Sequence, residues 1–139
     1  MKYVVDASVV VKWYVPEIYC DESIRLLEGG NELHVPELLL PEFSNIIWKK
    51  VRRNEIDAAD GRKMIEAVRQ IRFSIHSHKK TILSAYTGAI STGQTVYDWT
   101  YLALAISLSC EFVTADEKFF RRLADTPLKS NLMWIGDIN

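Results

Sequence analysis

Asp98 is a charge set in an apolar run. It interrupts Thr95-Val-Tyr-Asp-Trp-Thr-Tyr-Leu-Ala-Leu-Ala-Ile-Ser-Leu-Ser109, a stretch that otherwise favours burial. At helical pitch it shares a face with Leu102, Ala105 and Ser109, so its carboxylate ends an apolar stripe. A lone ionised carboxylate there is costly and needs hydrogen-bond donors, a cation or a raised pKa. Three more acids hold comparable positions. Asp6 ends the run Lys2–Val5, Asp116 follows Phe112-Val113, and Glu42 is the only charge between Leu38 and Trp48, on a face with Asn45 and Lys49. Each has a structural explanation: the aspartates can cap helices, and Glu42 can pair with Lys49 or a helix N-terminus. If the four converge, they repel one another and bind protons unless a divalent cation sits among them, and such hard oxygen ligands suit Mg2+ or Mn2+. Metal-dependent phosphoester hydrolysis is a chemistry open to such a centre.

Other site chemistries find less support. There is no Cys/His zinc pattern, no EF-hand loop, and neither glycine-rich phosphate-loop motif. His76-Ser77-His78 lacks a third ligand and reads as surface or satisfied histidines. Cys20 and Cys110 lie far apart and suit free thiols in a reducing compartment, so a cytoplasmic location is expected. A formal net charge of −1 gives no global attraction to nucleic acid, which leaves local patches. Lys49-Lys50-Val51-Arg52-Arg53, His78-Lys79-Lys80 and Lys118-Phe119-Phe120-Arg121-Arg122 are such patches that could hold phosphates, but each reads more readily as a solvated helix end. Lys12 and Lys49 stand out as substrate-binding candidates because each falls within a few turns of an acid. Trp13, Tyr14, Tyr97 and Trp99 could stack on bases, although packing is the expected use of Trp13 and Trp48.

The elements that must position these residues alternate in type. The length of 139 residues fits one domain, 1–139, and the longest mostly apolar run, Trp99–Cys110, is too short to span a bilayer. Short apolar runs predict strands at Lys2–Val5, Glu32–Val35, Phe73–Ile75, Glu111–Thr114 and Leu132–Ile135. Between them the spacing predicts helices over Ser8–Tyr14, Asp21–Leu27, Pro36 to about Arg53, a segment capped by Asp57, Lys79–Ile90, Thr95–Ser109 and Asp116–Ala124. This alternation argues for a three-layer α/β/α sandwich around a mostly parallel sheet. In such sheets sites form at the carboxyl ends of the strands, where Asp6 and Asp116 fall.

The motifs then become recognisable by their order. Val4-Val5-Asp6-Ala7-Ser8, Pro36-Glu-Leu-Leu-Leu-Pro-Glu42-Phe-Ser-Asn45, Tyr97-Asp98-Trp-Thr-Tyr-Leu-Ala-Leu-Ala105 and Val113-Thr-Ala-Asp116 resemble the PIN-domain family, most closely its VapC toxins of prokaryotic toxin–antitoxin pairs. The resemblance covers essentially the whole chain. It implies an endoribonuclease whose acids Asp6, Glu42, Asp98 and Asp116 bind Mg2+ or Mn2+, with Ser8, Asn45 and Thr114 orienting the carboxylates. No acid is missing. Trp99, bulkier than the residue common after the third acid, is expected to alter the substrate groove. The resemblance further implies a homodimer, an RNA substrate and a VapB-like antitoxin lying over the site. A non-catalytic nucleic-acid or protein binding module and a solitary RNA-processing nuclease are the alternatives. With water as nucleophile the 2′-hydroxyl is not required, so DNA stays open as a substrate.

Overall fold

In the computed structural model, which describes residues 1–139, Lys2–Val5 forms strand β1, with Tyr3, Val4 and Val5 buried. A strand buried on both faces needs no polar alternation, and this run has none. A short helix α1 (Ala7–Val10) follows at once and tightens into a 3-10 turn over Val11–Trp13. Helix α2 spans Cys20–Glu28 and β2 spans Glu32–Pro36. Pro36 is thus the last residue of a strand, paired with His76, and not the first of a helix as its sequence context suggested. Helix α3 starts at Leu39 and runs to Arg52. Pro41 is its third residue, where a missing N–H breaks no intrahelical bond.

Helix α4 (Ala58–Val68) is capped as expected by Asp57, whose Oδ1 accepts from the Ala59 N–H. Strand β3 is Ser74–His76, helix α5 is Ile82–Thr92 and helix α6 is Val96–Ser107. Strand β4 (Glu111–Thr114), helix α7 (Glu117–Ala124) and strand β5 (Leu132–Trp134) complete the order. The five strands form one sheet in the order β3-β2-β1-β4-β5, and every pairing is parallel. The seven helices flank it as a three-layer sandwich. No helix is long and apolar enough to cross a membrane.

Two consequences of this order matter for function. Strand β1 is central, so Asp6 emerges between β2 and β4 rather than at an edge. Helix α6 lies against β1, β2 and β4 and carries α5 on it. It is therefore buried without interruption from Trp99 to Ala105, which explains why it is apolar all round. Gly88 makes that helix pairing possible: a Cβ there would stand 2.4 Å from the Trp99 ring.

Candidate active site

The four sequence-singled acids arrive from four elements. Asp6 sits between β1 and α1, Glu42 in the first turn of α3, Asp98 in the first turn of α6, and Asp116 just after β4. Capping accounts for only one of them. Asp116 is a cap, its Oδ1 accepting from the Phe119 N–H at 3.0 Å. Asp6 occupies the N-cap position of α1 but makes no capping bond. At α6 the cap is Thr95, whose Oγ1 accepts from the Asp98 N–H at 3.1 Å, so the Asp98 carboxylate is not the helix cap. Glu42 makes no ion pair with Lys49; instead its Oε1 accepts from the Tyr101 hydroxyl at 3.3 Å.

Hydroxyl groups hold Asp6 in place. Ser8 Oγ donates to Asp6 Oδ2 at 2.8 Å and Thr114 Oγ1 donates to the same oxygen at 2.7 Å. Backbone groups fix both donors in turn: the Ala115 N–H donates to Ser8 Oγ at 3.1 Å and the Asp116 N–H donates to Thr114 Oγ1 at 3.0 Å. The chain Asp116–Thr114–Asp6–Ser8–Ala115 thereby ties the ends of β1 and β4 into one rigid rim. Asn45, expected among these orienting groups, is exposed and makes no hydrogen bond to an acid.

Electrostatics show that the acids sense one another. Burial pushes Asp6 up to about 6 against the pull of Thr114 and Ser8, and the charges of Asp98 and Asp116 add to the rise. Burial likewise pushes Glu42 up to about 7, helped by Asp6, Asp98 and Asp116. Asp98 is raised by burial and by Asp116, with Thr95 opposing. No basic group is among the influences on any of the three. The Tyr101 hydroxyl is held protonated by burial and by the charges of Asp6 and Glu42. The side chains are not drawn tightly around a common point, and no three Asp, Glu, His or Cys groups stand ready to enclose an ion.

Several sequence readings are corrected here. Trp99 does not face a substrate groove: it is 5% exposed, and its indole N–H donates to Thr92 Oγ1 at 2.8 Å between α5 and α6. Lys12 is not a free cation, because its Nζ is bound to Glu17 Oε1 at 3.2 Å. Lys50 holds the other Glu17 oxygen at 3.0 Å. Lys49 is exposed and unpaired on α3. Trp13 packs on Phe73 and Tyr14 on Phe43, whereas Tyr97 beside Asp98 is exposed. His76 meets His34 of β2, with Nε2 and Nδ1 2.9 Å apart, as one of a satisfied pair. Tyr101 was missed by sequence reading, although a hydroxyl in an apolar run one turn beyond Asp98 was a usable signal.

The sequence profile of the PIN domain matches residues 3–125. Ribonuclease VapC3 of Pyrobaculum aerophilum is 32% identical over 120 residues, covering 85% of this chain and 92% of that protein. The crystal structure of PAE2754 from Pyrobaculum aerophilum superimposes with a TM-score of 0.73 at 20% identity, over 98% of this chain and 85% of that one. VapBC2 from Rickettsia felis, solved bound to a DNA fragment from its promoter, gives a TM-score of 0.61 at 17% identity, over 96% of this chain and 97% of that one. With its parallel sheet, its four strand-end and helix-start acids and these relatives, the chain belongs to the PIN-domain family, among the VapC proteins.

Proposed function

We infer that this protein is an endoribonuclease that hydrolyses RNA phosphodiester bonds with a divalent metal, as the toxin of a VapBC-type pair. The observation that carries the reading is that carboxylates from four separate elements lie close enough to influence one another electrostatically, with no basic group among the influences on Asp6, Glu42 or Asp98. Such a donor set, all oxygen and strongly anionic, fits Mg2+ or Mn2+ in charge and hardness. Asp6, Asp98 and Asp116 are assigned to hold the metal; burial first, and neighbouring acids second, raise Asp6 and Asp98, and a bound cation would offset both. When bound, the ion supplies neutralisation of the acids and acidification of a water molecule. The protein's own groups then have distinct tasks. Ser8 and Thr114 fix the Asp6 carboxylate so that its second oxygen stays free. Glu42 keeps one oxygen on Tyr101, and its other oxygen is the acceptor for the proton leaving the attacking water. A value raised toward 7 suits that transfer near neutral pH.

The relatives named as ribonucleases favour RNA over DNA. The solved VapBC complex favours an antitoxin partner for this chain. Leu83, Tyr86 and Ile90 form an exposed apolar row on the outer face of α5, and this row supports a homodimer. The deciding experiment incubates the purified protein, free of any antitoxin, with mixed single-stranded and structured RNAs in Mn2+ or Mg2+, in chelator, and beside Asp98→Asn. Discrete cuts that need metal and vanish in the variant are expected. A folded protein that neither binds metal nor cuts any RNA would return the chain to the class of binding modules.

A further inference from the structure

A cavity of about 500 Å3 lies beside Asp116, and the chemistry above makes no use of it. Ala115 and Glu117, which bracket Asp116, both line it, so it opens against the rim that carries the acids. Its other walls include Tyr19, Phe120 and Trp134. Tyr19 meets Trp134 edge-on with ring centroids 5.6 Å apart, and Phe120 lies 5.7 Å from Trp134 at a tilt of 49°.

Three features set this aromatic wall apart from ordinary packing. Tyr19 has φ 67°, a left-handed conformation that is unfavourable for a bulky side chain and is retained where the surroundings enforce it. Gly136 leaves room for the wall, since a Cβ there would lie 2.9 Å from Trp134 Nε1 and 3.0 Å from the Tyr19 ring. The indole N–H groups of Trp13 and Trp99 are bonded to Ser23 O and Thr92 Oγ1; that of Trp134, like that of the exposed Trp48, has no partner in the protein. Arg121 stands at the mouth, 76% exposed and held only by Glu117 one turn away, a surface pairing weak enough to exchange for another anion.

Flat aromatic faces, an unspent N–H donor and an exchangeable guanidinium match one nucleotide. We propose that this cavity receives a single unpaired nucleobase of the RNA next to the scissile phosphate. The base packs on the Trp134 face with Tyr19 at its edge, the in-plane Trp134 N–H donates to the adjoining ribose, and Arg121 turns from Glu117 to the adjoining phosphate. The inference rests on the endoribonuclease reading and adds to it a subsite for one base. A base locked in a helix cannot enter such a pocket, so the subsite engages only an unpaired nucleotide.

The test uses the full chain carrying Asp98→Asn, which blocks turnover, and short single-stranded RNAs of mixed sequence containing 4-thiouridine. Photo-crosslinked adducts mapped by mass spectrometry are expected on Tyr19, Phe120 or Trp134. Trp134→Ala should weaken single-stranded RNA binding roughly tenfold or more, the usual effect of losing a base-stacking ring. Ile18→Glu provides a second arm that leaves the fold alone: Ile18 lines the cavity and is 77% exposed, and a carboxylate there repels the phosphate. Its thermal midpoint should equal the parent's while RNA binding falls. RNA binding unchanged by both substitutions, with adducts elsewhere, overturns the subsite; if the protein with Asp98 intact still cuts RNA in that case, the nuclease reading stands. A protein with Asp98 intact that neither binds nor cuts RNA removes both. Loss of affinity for an antitoxin peptide with RNA binding intact assigns the cavity to a protein partner instead.

Discussion

Replacing Asp6 with asparagine should make the metal-free protein more stable at pH 8 while abolishing its proposed activity. Burial, with Asp98 and Asp116 adding charge, raises the folded-state pKa of Asp6 from 3.8 to about 6. An acid whose pKa is higher folded than unfolded binds more protons in the folded state between those two values. Its contribution is therefore present at low pH, falls as pH rises from about 4 to about 6, and stays lost above. The full difference at pH 8 is about 3 kcal/mol. Asparagine has no proton to lose, and its amide oxygen can accept the same bonds from Ser8 and Thr114. Asp6→Asn should recover most of that difference, on the order of 5–10 °C in thermal midpoint for a chain of this size. Thermal unfolding in chelator from pH 4 to pH 8 measures it: parent and variant should coincide at the acid end and separate as pH rises. Mn2+ should then close the gap by stabilising the parent alone. Equal midpoints at pH 8 in chelator, or a less stable variant, would refute the reasoning.

Thr114→Val removes the donor 2.7 Å from Asp6 at a fully buried position, so it should weaken Mn2+ binding by calorimetry and lower stability by about 1–3 kcal/mol. Tyr101→Phe removes a bond that holds Glu42 down; Glu42 should rise further, and the acid limb of the pH–rate profile should move to higher pH. A profile that does not move would show Glu42 titrating outside the rate. Gly88→Ala drives a methyl into the Trp99 ring, with an expected loss of about 1–3 kcal/mol read by thermal unfolding, and an unchanged midpoint would contradict the close packing of α5 on α6.

The alternation of apolar runs and helical spacings was enough to place all five strands and the helices between them, because burial of β1, β2 and β4 imposes apolar runs locally, although the edge strand β3 is largely exposed. Pairing was not legible in the same way. That β1 lies between β2 and β4 follows from contacts over a hundred residues, which no local pattern encodes. The acids could be found because a carboxylate in an apolar context needs a reason. Which of them capped a helix could not be found, since Thr95 and Asp98 are both good candidates at one helix start and only backbone direction separates their roles. Trp99 misled for a related reason: adjacency to Asp98 along the chain turns it about 100° around the helix, toward α5 and away from the carboxylate. Tyr101 and His34 escaped notice because their partners, Glu42 and His76, lie on other elements.

The bond from Thr114 to Asp6 spans 108 residues, and this separation bears on the order of events during synthesis. The first acid leaves the ribosome more than a hundred residues ahead of the hydroxyl that orients it. Until β4 arrives, β1 lacks its second neighbour and the rim that unites Asp6 with Asp116 cannot exist. A growing or prematurely terminated chain therefore carries three of the four acids with no assembled centre. Competence arises in one late step, when β4 pairs with β1.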